Sequence, residues 1–254
     1  MRSPTSKNRR TCRWWCLLPV LWIVAGTALA GGAVDTGPPV ITPGEAHRMM
    51  DERDDTLFVN TMSAIECRDH RIPGSLCIAC PEFEKTAPAL IENRDRPIIV
   101  YCASTGCHRS IHAADKARGL GYRNVFILDG GLPAWKEAGY AVESERRIPR
   151  KGIASIKPKV LSRLIDEKQN ILVLDIRTGD LFEREHVPGA VNIPFDELED
   201  ACRELPMNRK IVVVDEEGHR SFLAACYLYE RGLVDIQRLF GGMKDWRSFM
   251  KRRK

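Results

Sequence analysis

The sequence predicts an α/β protein built from two tandem units, each a mainly parallel sheet with helices on both faces. Three observations predict it. The chain of 254 residues is 44% hydrophobic and 29% charged, a globular mixture long enough for two cores of roughly 100 residues each. The second half repeats the first. At an offset of 111, Arg109-Ser110, Ala113-Ala114, Gly121, Val125, Leu128, Gly131 and Trp135 meet Arg220-Ser221, Ala224-Ala225, Gly232, Ile236, Leu239, Gly242 and Trp246, a repeat of domain size. In each copy, short apolar runs of strand length alternate with segments whose apolar residues fall at helical spacing, which implies a parallel sheet covered by helices. The composition excludes a disordered, a collagen-like or a polytopic membrane protein.

The first element in the chain is an address. Residues 1–30 carry Arg2, Lys7, Arg9, Arg10 and Arg13 and no acid, followed by the apolar run Trp14–Gly26 and by Thr27-Ala28-Leu29-Ala30-Gly31. A basic start, an apolar middle and small residues before a cut form the layout of a secretory signal peptide. The stretch from Trp14 to Val34 carries no charge, so an uncleaved anchor ending near residue 34 is the alternative. The leader predicts a periplasmic or secreted protein, with a membrane as partner only if the leader is retained. Without these five cations, 39 Lys and Arg become 34 against 34 Asp and Glu. The mature chain then has no net charge and no general electrostatic attraction for nucleic acid. Nine cysteines become seven: Cys67, Cys77, Cys80, Cys102, Cys107, Cys202 and Cys226. An odd number in an oxidising compartment leaves a thiol free or paired between chains.

The first copy spans 38–142. Leu57–Asn60, Ile98–Tyr101 and Val125–Leu128 are its predicted strands, and a helix over Ser110–Leu120 stops at Gly121. The stretch 143–152, with Arg146, Arg147, Pro149, Arg150 and Lys151, lacks apolar periodicity and reads as a solvated linker. The second copy, 153–250, offers strands at Ile171–Asp175, Ile211–Val214 and Ile236–Phe240, and a helix over Ser221–Arg231 that stops at Gly232. Trp135 and Trp246 follow Gly-Gly turns and are expected to pack a terminal helix onto each sheet.

In both copies a buried strand ends in a loop that opens directly into a helix, and parallel sheets bind ligands at this edge. In copy one the loop is Cys102-Ala103-Ser104-Thr105-Gly106-Cys107-His108-Arg109-Ser110. The first N–H groups of the helix and the positive end of its dipole favour an anion there. A cysteine in that field is biased toward thiolate, the nucleophilic form, and Arg109 would add charge stabilisation. The alternative for Cys102 alone is a buried core thiol; Gly106, His108 and Arg109-Ser110 before a helix favour the nucleophile. Substrate is expected to meet Ala103, Ser104, Thr105, Gly106, Cys107, His108 and Arg109.

The order and spacing of these motifs resemble a tandem rhodanese, the sulfurtransferase family. The resemblance rests on Ile98-Ile99-Val100-Tyr101-Cys102, Arg109-Ser110-Ile111-His112-Ala113-Ala114, Leu120-Gly121-Tyr122 and Leu128-Asp129-Gly130-Gly131 with Trp135. Copy two adds Asp175-Ile176-Arg177, His186-Val187-Pro188-Gly189-Ala190-Val191-Asn192-Ile193-Pro194 and Gly218-His219-Arg220-Ser221. It implies that Cys102 takes a sulfane sulfur from a small anionic donor such as thiosulfate, becomes a persulfide, and passes the sulfur to cyanide, a thiol or a protein acceptor. No cofactor, metal or nucleotide is implied.

Four departures qualify that expectation. Asp215 replaces the cysteine in copy two, at an offset of 113; its charge is expected to oppose an anion, leaving Asp215 and Arg220 as a degenerate site. Six residues separate Cys102 from Arg109, where four separate Asp215 from Arg220, so the first loop carries a two-residue insertion. A wider loop admits a phosphatase or arsenate reductase as an alternative, and a carrier that holds persulfide without turnover is another. Cys107, inside the same loop, either fills the inserted turn or acts as a resolving thiol for Cys102. Asn60-Thr61-Met62 stands where copy two has Asp175-Ile176-Arg177, so an ion pair below the loop is altered. Cys77-Ile78-Ala79-Cys80 occupies the position of the strand Val191-Asn192-Ile193-Pro194 in copy two and is assigned a structural role or a disulfide in place of a redox or metal site, since no second ligand pair with zinc-like spacing is evident. His108 is a candidate to orient a donor, and His112 is expected at the surface.

Overall fold

The predicted runs Leu57–Asn60, Ile98–Tyr101 and Ile211–Val214 are buried along their whole length, and Ile171–Asp175 nearly so, which buries both of their faces. In the computed structural model, which describes residues 37–103 and 107–253, copy one runs through β1 (Val40–Ile41), α1 (Pro43–Glu52), β2 (Leu57–Asn60), α2 (Ala64–Asp69), β3 (Leu76–Cys77), α3 (Phe83–Leu90), β4 (Ile98–Tyr101), α4 (His108–Gly119), β5 (Val125–Leu128) and α5 (Gly131–Glu137). Copy two repeats it with β6 (Ala154–Ile156), α6 (Pro158–Asp166), β7 (Ile171–Asp175), α7 (Gly179–Arg184), β8 (Val191–Asn192), α8 (Leu198–Ala201), β9 (Lys210–Val214), α9 (Arg220–Glu230), β10 (Ile236–Leu239) and α10 (Gly242–Arg253). The sheets have the same order, β1-β5-β4-β2-β3 and β6-β10-β9-β7-β8, and every pairing within them is parallel. The predicted leader lies outside the described residues. Among the described residues no helix is long and apolar enough to cross a membrane.

Successive residues of a strand point to opposite faces, and the cores follow that alternation. Leu57, Val59, Ile98 and Val100 pack with Phe83 and Ala87 of α3 and Ala113, Ala114 and Ala117 of α4. Phe58, Ile99 and Tyr101 pack on the other face with Ala46 of α1 and Leu132 and Trp135 of α5. Alanines let α4 approach its sheet closely, and Gly121 ends it with a φ of 88°, in the left-handed region that glycine adopts without strain. In copy two Val173, Val212 and Val214 meet Leu161 of α6 and Met243 and Trp246 of α10. Both tryptophans therefore pack a closing helix as expected.

The linker departs from the sequence reading. It is docked, because Asp69 at the end of α2 captures it. The buried Asp69 carboxylate accepts the Ile148 N–H at 2.8 Å and pairs with Arg150 at 2.6 Å, while the Asp69 and Arg68 carbonyls accept from the Ser144 hydroxyl and from the Glu145 and Arg146 N–H groups. Burial pushes the Asp69 carboxyl up, but these donors and His70 outweigh it and hold it below the ordinary value. Ile148 is thereby placed in the core of copy two, where Ile65 of α2 joins it beside Ala225, Leu228 and Phe195. Thr36–Lys254 consequently behaves as one compact unit.

The cysteine pattern is also corrected. Cys77 pairs with Cys67, not with Cys80, across a Cα separation of 6.0 Å, within disulfide reach. This joins α2 to the edge strand β3. Cys80 turns into the α3 core, where burial raises its thiol pKa, and Cys202 and Cys226 are likewise free and buried.

Asp69→Ala is expected to leave the buried Ile148 N–H and Arg150 without a carboxylate and to destabilise the protein by about 2–3 kcal/mol. Urea unfolding checks this; an unchanged midpoint would mean the strap contributes nothing.

Candidate active site

Cys102 and Asp215 occupy equivalent places, each following the central strand of its sheet. Their backbones are held alike: the Leu132 N–H donates to the Cys102 carbonyl at 2.9 Å and the Met243 N–H to the Asp215 carbonyl at 2.8 Å. Both donors come from the first turn of the closing helix. A Cβ on Gly242 would lie 2.5 Å from that Asp215 carbonyl, so this approach requires glycine. In copy one the strand end is pinned further. Thr61 donates its N–H and hydroxyl to the Tyr101 carbonyl at 3.0 and 2.9 Å, and the Tyr101 hydroxyl accepts from Ile72 N–H and donates to Ser75. Burial raises the Tyr101 pKa to about 12. A rigid strand thus presents Cys102 to the loop.

Copy two shows what this loop holds. The Asp215 carboxylate, only 4% exposed, accepts N–H groups from Gly218 at 2.7 Å, Arg220 at 2.7 Å and Ser221 at 3.0 Å. These are the unpaired donors at the start of α9. The structure shows how the charge of Asp215 can oppose an anion: the helix start attracts the carboxylate, which takes the anion's seat itself. The three donors of this loop are thus already taken.

Copy one places Cys102, 1% exposed, in a disulfide with Cys107 across a Cα separation of 6.2 Å. Cys107 is the N-cap of α4, and its carbonyl accepts the N–H and hydroxyl of Ser110. At the offset of 111 it stands where Gly218 stands in copy two. Ala103 is half-buried beside this pair, whereas Ser104, Thr105 and Gly106 lie outside the described residues. His108 and His112 are both exposed, their rings 6.3 Å apart.

Arg109 is held by carboxylates. Its guanidinium lies 3.5 Å from the buried Glu66 and 3.4 Å from Asp196. Arg220 meets the same acids: it makes two hydrogen bonds of 3.1 Å to Glu66 and lies over the Phe195 ring. Glu66 comes from copy one and Asp196 from copy two, so this four-residue cluster joins the halves beside both loops. Burial pushes the Glu66 carboxyl up, but Arg220, Arg109 and the Ser63 N–H outweigh it and hold it at about 2. For Asp196 burial prevails over both arginines, with Glu66 adding repulsion, and its pKa is raised. Sequence reasoning missed both acids. Ser63 and Glu66 form a capping box on α2, a readable local signal, but nothing local announces the distant arginines.

Below the loops the altered motif is accounted for. The Asp175 carboxylate accepts the Arg177 N–H and pairs with its side chain at 2.8 Å, and Arg177 reaches the Glu185 carbonyl and Glu216. Asn60 keeps only the first of these bonds, accepting the Met62 N–H at 2.9 Å, and Met62 enters the apolar core instead.

Two domains, one loop bearing cysteine and one filled by its own carboxylate, define the class, and comparison with known proteins agrees. The rhodanese-like domain family matches residues 42–138 and 157–249. The chain belongs to this family, as a tandem pair of such domains. YrkF of Bacillus subtilis, a proposed sulfur carrier protein by its name, is 31% identical over 173 residues, covering 66% of this chain and 91% of that protein. The thiosulfate sulfurtransferase GlpE of Shewanella oneidensis is 33% identical over 96 residues, covering 37% of this chain and 95% of its own. A solved thiosulfate sulfurtransferase of Pseudomonas aeruginosa aligns at 22% identity and a TM-score of 0.42, over 84% of this chain and 42% of that one.

Asp215→Ala is expected to orphan three N–H groups and destabilise the protein by about 2–4 kcal/mol. Sulfate should restore more of the lost melting temperature in the variant than it adds to the unsubstituted protein; equal increments would contradict an anion seat. Glu66 has a folded-state pKa depressed from 4.5 to about 2. Its stabilisation is therefore complete above pH about 4.5 and lost as pH falls toward about 2. Glu66→Gln should flatten acid unfolding in that window, and an unchanged acid transition would exclude this assignment.

Proposed function

We propose that the protein is an exported sulfurtransferase that moves sulfane sulfur from thiosulfate or a related anionic donor to a thiophilic acceptor through a persulfide on Cys102. The observation that carries the reading is the Asp215 carboxylate held by three N–H groups at the start of α9. A thiol at the equivalent strand end, followed by a helix start in the same way, offers a nucleophile and an anion seat together. Membership of the rhodanese-like family and the name of the GlpE relative support thiosulfate as donor.

Reduced Cys102 is the starting form. Its thiolate attacks the sulfane sulfur of thiosulfate, the donor's S–S bond breaks, and sulfite departs with the electron pair. The N–H groups and dipole at the start of α4 stabilise the thiolate, the developing sulfite and the persulfide anion in turn. Cyanide or an acceptor thiol then attacks the outer sulfur and returns Cys102 as thiolate. The second copy contributes packing and the Asp196 carboxylate beside Arg109, not a second nucleophile. Two disulfides and the leader pattern support an oxidising compartment, periplasmic or extracellular.

Pre-reduced protein is expected to form thiocyanate from thiosulfate and excess cyanide. Cys102→Ser should lower that rate by at least about 100-fold, and protein left oxidised should be silent until reduced. Full thiocyanate formation by Cys102→Ser would exclude Cys102 as the sulfur-bearing residue.

A further inference from the structure

The first loop differs from the second by two inserted residues between Cys102 and Cys107 and by a second thiol, Cys107. Cys107 caps α4 and is joined to Cys102, at the position where copy two has Gly218, whose N–H holds the Asp215 carboxylate. A group within bonding distance of Cys102 Sγ stands where a persulfide on that sulfur is resolved from inside the protein when no external acceptor is at hand, in competition with cyanide or an acceptor thiol when one is.

We propose that Cys107 is a catalytic residue that discharges the Cys102 persulfide as hydrogen sulfide, making the protein a dithiol-dependent sulfane-sulfur reductase as well as a transferase. The inference rests on the persulfide reading above and names the fate of its sulfur. The Cys107 thiolate attacks Cys102 Sγ, the inner sulfur of the persulfide. A bond forms between Cys102 Sγ and Cys107 Sγ, the bond to the outer sulfur breaks, and that sulfur leaves as HS⁻ with the electron pair and the proton of the persulfide. The two cysteines are oxidised by two electrons to the disulfide, and the sulfane sulfur is reduced by two electrons to sulfide.

The disulfide seen between Cys102 and Cys107 is the product of that step, and the co-reactant that resets it is a dithiol. Thiol–disulfide exchange depends on which sulfur is accessible and on how well the other leaves. Cys107 is half-buried, while Cys102 is 1% exposed. A dithiol therefore attacks Cys107 and expels Cys102, whose thiolate the start of α4 favours. The second thiol of the reductant then releases Cys107 and closes its own disulfide. Thiosulfate and a dithiol become sulfite, sulfide and a disulfide, with all atoms and electrons accounted for. The other three cysteines of the mature chain are free and buried, and Cys67 is occupied with Cys77, so the exchange is confined to this loop.

The test is a single turnover of the full mature chain, reduced with dithiothreitol, freed of it, and given one equivalent of thiosulfate without cyanide. The unsubstituted protein is expected to release one equivalent of sulfide and one of sulfite while losing about 2 Da as the disulfide closes. Cys107→Ser should release sulfite but no sulfide and stop about 32 Da heavier, as a persulfide that cyanide removes. A stable gain of about 32 Da in the unsubstituted protein, with no sulfide, would overturn the reductase step and leave the transferase reading standing. No sulfite from either protein would overturn both readings for thiosulfate. If Cys107→Ser does not fold, the sulfide yield and mass of the unsubstituted chain decide alone.

Discussion

The start of a helix placed at the end of a buried parallel strand leaves backbone N–H groups that must find an acceptor, and much of this molecule answers that constraint. In copy two the answer is internal: the carboxylate of Asp215 takes three of them. In copy one the residue in that place is a cysteine, whose side chain accepts hydrogen bonds weakly when protonated and well when ionised. The same backbone therefore stabilises a fixed anion in one half and favours a reactive anion in the other. The two sheets share one strand order although one loop begins with cysteine and the other with aspartate.

The second copy acts through its interface. Ile65 and the linker residue Ile148 complete the core of copy two, and Asp69 fixes the strap that carries Ile148. The arginines that follow the two loops, Arg109 and Arg220, converge on Glu66 and Asp196. Two cations and two carboxylates in a restricted space satisfy one another where any single member would carry a heavy desolvation cost. This cluster also keeps Arg109 at the wall of the site. In copy two the carboxylate seat rests on the backbone N–H groups of Gly218, Arg220 and Ser221, which do not titrate.

Most of the scaffold was legible in the sequence because strand and helix patterns are local. The runs Leu57–Asn60, Ile98–Tyr101, Val125–Leu128 and Ile171–Asp175 are strands over those same residues, since uninterrupted β-branched and large apolar residues bury both faces. Helix α4 begins at His108, two residues before the predicted Ser110, with Cys107 at its N-cap position. The charged side chains of the linker face solvent as its polarity suggests, but its backbone is held by the Asp69 carboxylate and by the Asp69 and Arg68 carbonyls, acceptors that lie far away in the sequence.

By itself the sequence determined the two-fold repeat, the family, the strand that ends at Cys102 and the loss of that thiol at Asp215, since all of these follow from residue order and spacing. Only the tertiary structure decided which cysteines pair, where Arg109 points, and that Asp215 fills the seat of the anion its charge had been expected to oppose. Those outcomes depend on distances between residues far apart in the chain and on which of several opposite charges approaches most closely. Local pattern contains neither quantity.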